Sequence, residues 1–160
     1  HLKPVGRLDK DSTGLIILTN DGEFINEMTH PSIKAPKVYL VQINGKFTAD
    51  DAEKMLNGIV IETDSGEKKT AYAETLPIEV NSKSSEIQVV LYQGINRQIR
   101  KMFAKLGFEV KSLKRIQHAT LTLEGLKRGQ IKAIKPKQVK ELKGYIAKIK
   151  REYAQNSNNG

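Results

Sequence analysis

Acidic side chains are concentrated in the stretch GRLDKDSTGLIILTNDG, which covers residues 6–22. Asp9, Asp11 and Gly14 have the spacing of the first ligands and the turn glycine of a calcium loop. Asn20, however, occupies the position where such a loop needs a bidentate glutamate. Calcium is therefore disfavoured, and none of the three histidines has a second ligand at a spacing typical of zinc sites. We expect no metal.

A catalytic carboxylate is the second interpretation of this stretch. Arg7 and Asp9 are two residues apart, so on an extended segment both side chains face the same side. If they lined one wall of a cleft, the arginine would favour the ionised carboxylate. Asp11 is a candidate for a second, proton-donating acid, but its charged surroundings favour an ionised, loop-capping aspartate. A plain turn, in which the aspartates accept hydrogen bonds from backbone amides, also fits.

Two arginines form a second cluster in the stretch QGINRQIRKM, residues 93–102. Arg97 lies in the predicted first turn of a helix and Arg100 follows three residues later, so both project from nearly the same face. A helix N-terminus that carries arginines binds anions well. A structural ion pair and a clamp for RNA phosphates both fit this pattern.

Charge is distributed unevenly along the chain. The net charge is +9, but residues 1–96 contain 10 Lys and Arg against 14 Asp and Glu, whereas residues 97–160 contain 17 against 4. A basic excess spread over several elements favours binding to RNA rather than to a membrane surface. The chain has no cysteine and no segment approaching the roughly 18 apolar residues of a membrane span. We therefore expect a soluble, cytoplasmic protein.

These candidate residues must be positioned by short strands and helices that alternate irregularly. Apolar runs and alternating patterns predict strands over residues 14–20, 37–44, 71–80, 86–92, 109–115 and 119–124. Capping residues predict helices that begin after Asp21, Thr48 and Asn96 and end before Pro31, at Gly58 and at Gly107. Regular βαβ spacing and a glycine-rich dinucleotide loop are absent from the sequence. We predict an α+β fold with a mixed, largely antiparallel central sheet flanked by helices.

A basic amphipathic helix is predicted from about residue 136 to residue 153. Apolar residues recur at helical spacing, and lysines occupy most of the remaining positions. The apolar stripe consists of Val139, Leu142, Ile146, Ile149 and Tyr153. The polar residues 154–160 are expected to form a flexible tail.

Three motifs of the chain occur in the order found in one enzyme family. They are VGRLDKDSTGLIILTNDGE, then KVYLVQI, then QGINRQIRKMFAKLGFEVKSLKRI. From Val5 to about Ala133 the chain resembles the pseudouridine synthases of the small-ribosomal-subunit uridine type and their large-subunit relatives. The resemblance implies a partial catalytic domain over residues 1–153, without the N-terminal RNA-binding module and the first part of the sheet that family members usually carry.

The resemblance assigns roles to four residues. Asp9 corresponds to the family's essential catalytic aspartate, and Arg7 to the arginine associated with the space left by the extruded nucleotide. Tyr39 corresponds to the tyrosine that stacks on the target uracil, although a tyrosine on an alternating strand is otherwise typical of half-buried packing. Arg100 corresponds to the arginine that pairs with the catalytic carboxylate and fixes its orientation.

Three further residues are expected to line the substrate site. Lys37 and Tyr39 are two residues apart on a predicted strand, so a cation and an aromatic ring would lie on the same face. Arg97 is a candidate phosphate ligand, and Leu113 is expected either in the pocket floor or in ordinary core packing. Other basic residues are candidates for contacts with the RNA backbone: Lys101, Lys105, Lys111, Lys114 and Arg115.

The resemblance implies isomerisation of uridine to pseudouridine in ribosomal RNA, and the NRQIR motif favours large-subunit RNA. Isomerisation adds nothing to the nucleotide, so no cofactor is expected. Asp9 would attack the sugar C1′, add to uracil C6 or remove the 2′ proton, and the sequence leaves these routes open. We expect a monomer with RNA as its partner. The alternative is a basic RNA-binding module without enzymatic activity.

Overall fold

Residues 1–159 are described by the computed structural model and contain ten strands and four helices. The strands are β1 (Lys3–Pro4), β2 (Thr13–Gly14), β3 (Leu18–Thr19), β4 (Lys37–Asn44), β5 (Ile59–Glu62), β6 (Lys68–Ala71), β7 (Glu74–Val80), β8 (Ser84–Leu91), β9 (Val110–His118) and β10 (Leu121–Thr122). The helices are α1 (Gly22–Thr29), α2 (Ala49–Asn57), α3 (Gln98–Lys105) and α4 (Pro136–Asn158).

The main sheet has the strand order β10-β9-β4-β8-β7, and β2 pairs with β9 beside this path. The pairs along the path are antiparallel, whereas β2 runs parallel to β9. Two small two-stranded sheets lie outside the main sheet, and they pair β1 with β3 and β5 with β6. The predicted fold class, a mixed and largely antiparallel sheet flanked by helices, is confirmed.

Local capping signals set the first two helices. Asp21 accepts a hydrogen bond from the Phe24 amide at the start of α1. Thr48 and Asp51 form a reciprocal capping box at the start of α2. The third helix was predicted to begin after Asn96, but α3 begins one residue later. Its N-cap residue is Arg97, which has a left-handed conformation with φ 55°. The Asn96 side chain donates instead to Asp64, in the loop between β5 and β6.

Two predicted strands are interrupted in the structure. Residues 14–20 were expected to form one strand, but Gly14 ends β2, and Leu18 begins β3 in another strand pair. The side chains of Leu15 and Ile17 between them are buried, so the run crosses a core as an irregular segment. Residues 71–80 are likewise divided between β6 and β7. The predicted hairpin of β7 and β8 is confirmed, and strand 37–44 has the predicted bounds.

The carboxyl-terminal helix is longer than predicted. It continues to Asn158, so residues 154–158 of the expected tail are helical, and Asn159 is the C-cap residue. Leu142 and Ile146 are buried, as the apolar stripe predicts, but Tyr153 is 48% exposed and lies beyond the packed part of the helix. Within residues 1–159, every helix is too short or too polar to cross a membrane.

Two clusters of buried side chains support these elements. The first packs α2 and α3 against the main sheet and includes Met55, Ile87 and Phe103. The second lies under α1 and α4 and includes Val5, Phe24 and Ile146. Full burial of a large apolar side chain stabilises the fold by about 1.5–3 kcal/mol. The two clusters therefore hold the opening loop and the start of α3, which carry most of the candidate site residues, on firmly packed elements.

Candidate active site

One cleft of about 670 Å³ collects the predicted site residues. Its lining includes the loop after β1, the first residues of β4, the start of α3 and part of β9. The structure brings all seven predicted side chains to this cleft: Arg7, Asp9, Lys37, Tyr39, Arg97, Arg100 and Leu113. Residues far apart in the sequence thus share one concave surface of the size that binds a small molecule or a nucleotide.

The loop that carries Asp9 is fastened to β9 by a close backbone approach. Gly14 has a φ of 112°, and a Cβ at this position would collide with the carbonyl oxygen of Arg115. The Leu15 amide donates to this carbonyl at 2.8 Å, and Arg115 Nε donates back to the Leu15 carbonyl at 2.9 Å. Only glycine combines this conformation with this contact. The position of Asp9 therefore depends on a fixed junction five residues further along the chain.

Asp9 is mostly buried, with 18% of its side chain exposed. Its Oδ2 atom lies 3.9 Å from Nη1 of Arg97, and its carbonyl accepts a hydrogen bond from the Ser12 amide at 2.9 Å. The tight turn holds the carboxylate at the cleft surface. A carboxylate in this position can act as a nucleophile or a base toward a molecule in the cleft.

Asp11 is the more strongly paired carboxylate. Arg97 donates to both of its carboxylate oxygens at 3.0 Å, and these contacts lower the pKa of Asp11 from 3.8 to about 2. The prediction that Asp11 stays ionised is confirmed, although its partner is Arg97 rather than Arg7. An ionised Asp11 cannot donate a proton at neutral pH, so the loop lacks the neutral acid of a hydrolytic carboxylate pair.

The expected pairing of Arg100 with Asp9 is not what the structure shows. Arg100 donates to the Asp11 carbonyl at 2.9 Å and lies 3.5 Å from the Asp11 carboxylate. Arg97 is the arginine within ion-pair distance of Asp9. The left-handed backbone at Arg97 changes the direction of its side chain relative to a regular helical turn, so the helical spacing of the two arginines did not indicate which one reaches Asp9.

Tyr39 and Leu113 link the cleft to the first core. Tyr39 is half-buried and packs against that core while it lines the cleft. Leu113 is 7% exposed and also belongs to both environments. Leu113 thus packs in the core and also lines the cleft, and its part in substrate binding stays a prediction.

The sequence did not indicate the roles in the cleft of Arg115 and His118. Arg115 was expected to be a surface contact for RNA, but it is 2% exposed and lines the cleft together with the buried His118. Burial, together with the positive charges of Arg115 and Lys37, lowers the pKa of His118 to about 3. Their positions in the cleft depend on the pairing of β4 with β9, which local sequence patterns do not reveal.

Solved structures define the class to which this fold belongs. A crystal structure of a pseudouridylate synthase matches 88% of this chain and 59% of its own chain with a TM-score of 0.79, at 27% identity. A Cbf5-Nop10-Gar1 complex shares the fold alone, at 14% identity and a TM-score of 0.56.

Residues 1–105 match the RNA pseudouridylate synthase family, and the chain belongs to that family. Ribosomal large subunit pseudouridine synthase B of Bacillus subtilis (strain 168) is 39% identical over 143 residues, which are 89% of this chain and 58% of that protein. Ribosomal large subunit pseudouridine synthase E of Vibrio parahaemolyticus is 34% identical over 139 residues, with coverages of 81% and 58%. The chain thus spans a little over half the length of these relatives.

Proposed function

We propose that this protein isomerises a uridine of ribosomal RNA to pseudouridine, with Asp9 as the essential carboxylate. The observation that carries the proposal is the cleft itself, where Asp9, Tyr39 and several cations meet within a chain of the pseudouridylate synthase family. The names of the two relatives described above support large-subunit RNA as the substrate.

The chemistry requires one carboxylate and no added group. The bond from N1 to C1′ of uridine breaks, the uracil turns, and a bond forms between C5 and C1′. C5 then loses its proton and N1 gains one, so atoms and charge balance. Asp9 can serve this sequence by attack at C1′, by addition at C6 or by removal of the 2′ proton, and each route begins from the ionised carboxylate.

The remaining cleft residues have roles that suit a nucleotide turned out of an RNA strand. Extrusion costs a few kcal/mol, which stacking and charge contacts offset. In this proposal Tyr39 stacks on the uracil, and Arg7, Lys37 and Arg97, which line the same cleft, supply positive charge around it. Arg100 acts as a positioning residue, because it holds the loop of Asp9 to α3 through the Asp11 carbonyl.

A mapping experiment tests the proposal. The chain is incubated with large-subunit and small-subunit ribosomal RNA transcripts, and pseudouridine is located by carbodiimide adducts that stop reverse transcription. We expect a new stop with the wild-type chain, none with Asp9→Asn, and an unchanged stop with Asp50→Asn, which removes an exposed carboxylate of α2. Equal signals from wild type and Asp9→Asn would contradict the role of Asp9. Salt-sensitive RNA binding without any stop would favour the non-enzymatic binding module.

We further infer that the protein acts as a cytoplasmic monomer. The ribosomal RNA named for its relatives supports this location, and the site residues of the proposal all come from one chain. Light scattering during size-exclusion chromatography checks the inference, which predicts a mass near 17.9 kDa for this chain.

A further inference from the structure

Lys37, Arg115 and His118 form a polar cluster on the wall of the cleft made by β4 and β9. Lys37 pairs with His118 across the strands, and Tyr39 pairs with Arg115. The register shifts between these pairs, so that two steps along β4 correspond to three steps along β9. Arg115 and His118 would face opposite sides of a regular strand, and this bulge brings both to the cleft.

The cluster has hydrogen-bonding capacity that the protein does not use. Arg115 is 2% exposed and His118 is 3% exposed. Arg115 Nη2 and both ring nitrogens of His118 have no hydrogen-bond partner among residues 1–159. Arg115 is nevertheless fixed in place, because its Nε donates to the Leu15 carbonyl. Buried polar groups are normally satisfied, so unpaired groups of residues that line a cleft point to a partner that binds there.

The cluster also has positive charge without an opposing acid. The pKa of Lys37 is lowered by burial and by the positive charge of Arg115. No carboxylate within the described part of the chain forms an ion pair with Lys37 or Arg115, whereas Arg97 and Arg100 on the other side of the cleft are both paired. Buried cations are costly unless an anion is bound beside them.

We propose that Lys37, Arg115 and His118 form a subsite for a phosphodiester group of the RNA strand, next to the nucleotide that enters the cleft. This inference rests on the proposed function. Two cations favour an anion over a neutral uracil carbonyl, and the free N–H groups suit the several oxygens of a phosphate. Tyr39 stands next to the cluster on β4, so base and phosphate of one strand would be held by neighbouring positions.

Small probes can test this subsite without the unknown target sequence. Calorimetry measures the affinity of the full chain for uridine, 5′-UMP, 3′-UMP and inorganic phosphate, and the ring signals of His118 in NMR spectra report the location. We expect at least one nucleotide to bind more tightly than uridine and than inorganic phosphate, and to shift the His118 signals. Lys37→Met should weaken this binding by roughly tenfold or more. The matched control Lys83→Met removes an exposed lysine of the turn between β7 and β8 and should leave it unchanged.

Thermal unfolding separates this loss from damage to the fold. Lys37→Met replaces a half-buried, unpaired cation with an apolar side chain of similar length, so its melting temperature should equal or exceed that of the wild type. Should it unfold, Arg115→Lys provides the second test, because it keeps the charge and loses the guanidinium donors. Weaker nucleotide binding by this variant would support the subsite, and unchanged binding would overturn it.

Three results would overturn the subsite: equal affinity for uridine and both nucleotides, equal effects of Lys37→Met and Lys83→Met, or inorganic phosphate binding as tightly as either nucleotide. The last result would indicate a site for free anions. The proposed function fails separately, if the chain makes no pseudouridine while UMP still binds at the cluster. Pseudouridine formation without nucleotide binding at the cluster would overturn the subsite alone.

Discussion

Two walls of the cleft differ in how their charged side chains are paired. The loop–helix wall is made by residues 7–12 and 97–100, and its acidic and basic side chains pair with one another. The strand wall is made by residues 37–39 and 113–118, and its basic side chains have no acidic partner there. On the loop–helix wall, arginines lie beside both aspartates. On the strand wall, the buried Arg115 and neutral His118 lie beside the half-buried Lys37 without an ion-paired acid. The comparison indicates that one wall is organised before substrate arrives and that the other is completed by an anion.

The largest effect is expected from acid titration of the strand wall. The pKa of His118 is lowered from 6.5 to about 3, so the histidine destabilises the fold as pH falls from 6.5 toward 3 and has no such effect above 6.5. Over that interval the free energy of unfolding of the wild type should fall more steeply than that of His118→Leu, by up to about 1.4 kcal/mol per pH unit. Denaturant unfolding at several pH values measures the difference. The same pH dependence of the free energy of unfolding in wild type and His118→Leu would show that His118 is accessible to protons in the folded protein.

Disruption of the loop–helix wall should have the next largest effect. Arg97→Asn removes the contacts with Asp9 and Asp11 but retains a residue that tolerates the left-handed backbone at this position. Asp9 then loses its charged neighbour, and a displacement of the catalytic group by about 1 Å can cost roughly 100-fold in rate. We expect pseudouridine formation to slow by about 10- to 100-fold in carbodiimide time courses. A wild-type rate in this folded variant would contradict the proposed role of the wall.

The smallest expected effect is a change in the pKa of Asp11 when Arg97 is replaced. Because its pKa is lowered to about 2, the ion pair with Arg97 contributes fully above pH 3.8 and is lost as pH falls toward 2. The carboxyl carbon of Asp11 should titrate near pH 2 in NMR spectra of the wild type and closer to 3.8 in Arg97→Asn. Identical midpoints would show that Arg97 does not hold Asp11 in solution.

Local signals were sufficient to predict the elements that carry much of the site. Thr48 and Asp51 specify the start of α2 within four residues, and alternation alone places Lys37 and Tyr39 on one face of β4. All seven predicted site residues meet in the cleft, because the motifs of the family indicated them together. Their catalytic and binding roles stay predictions.

Features that depend on distant contacts could not be predicted. The β5–β6 pair was missed because its short, mostly exposed strands have weak periodicity. Arg97 takes a left-handed conformation and pairs with the aspartates of a loop 86 residues away in the sequence. The cluster of Arg115 and His118 depends on a bulge in the pairing of β4 with β9. In a regular strand, residues three positions apart point to opposite faces, so the sequence pattern alone would have separated these two side chains.

Tritium release from RNA labelled at uracil C5 tests the central claim most directly, because isomerisation breaks the bond between C5 and its hydrogen. Wild type should release tritium into water, and Asp9→Asn should slow the release by about 1000-fold or more. Asp11→Asn, which loses the paired contact with Arg97, should slow it by only about 10- to 100-fold. Comparable release by wild type and Asp9→Asn would contradict the assignment of Asp9 as the essential carboxylate.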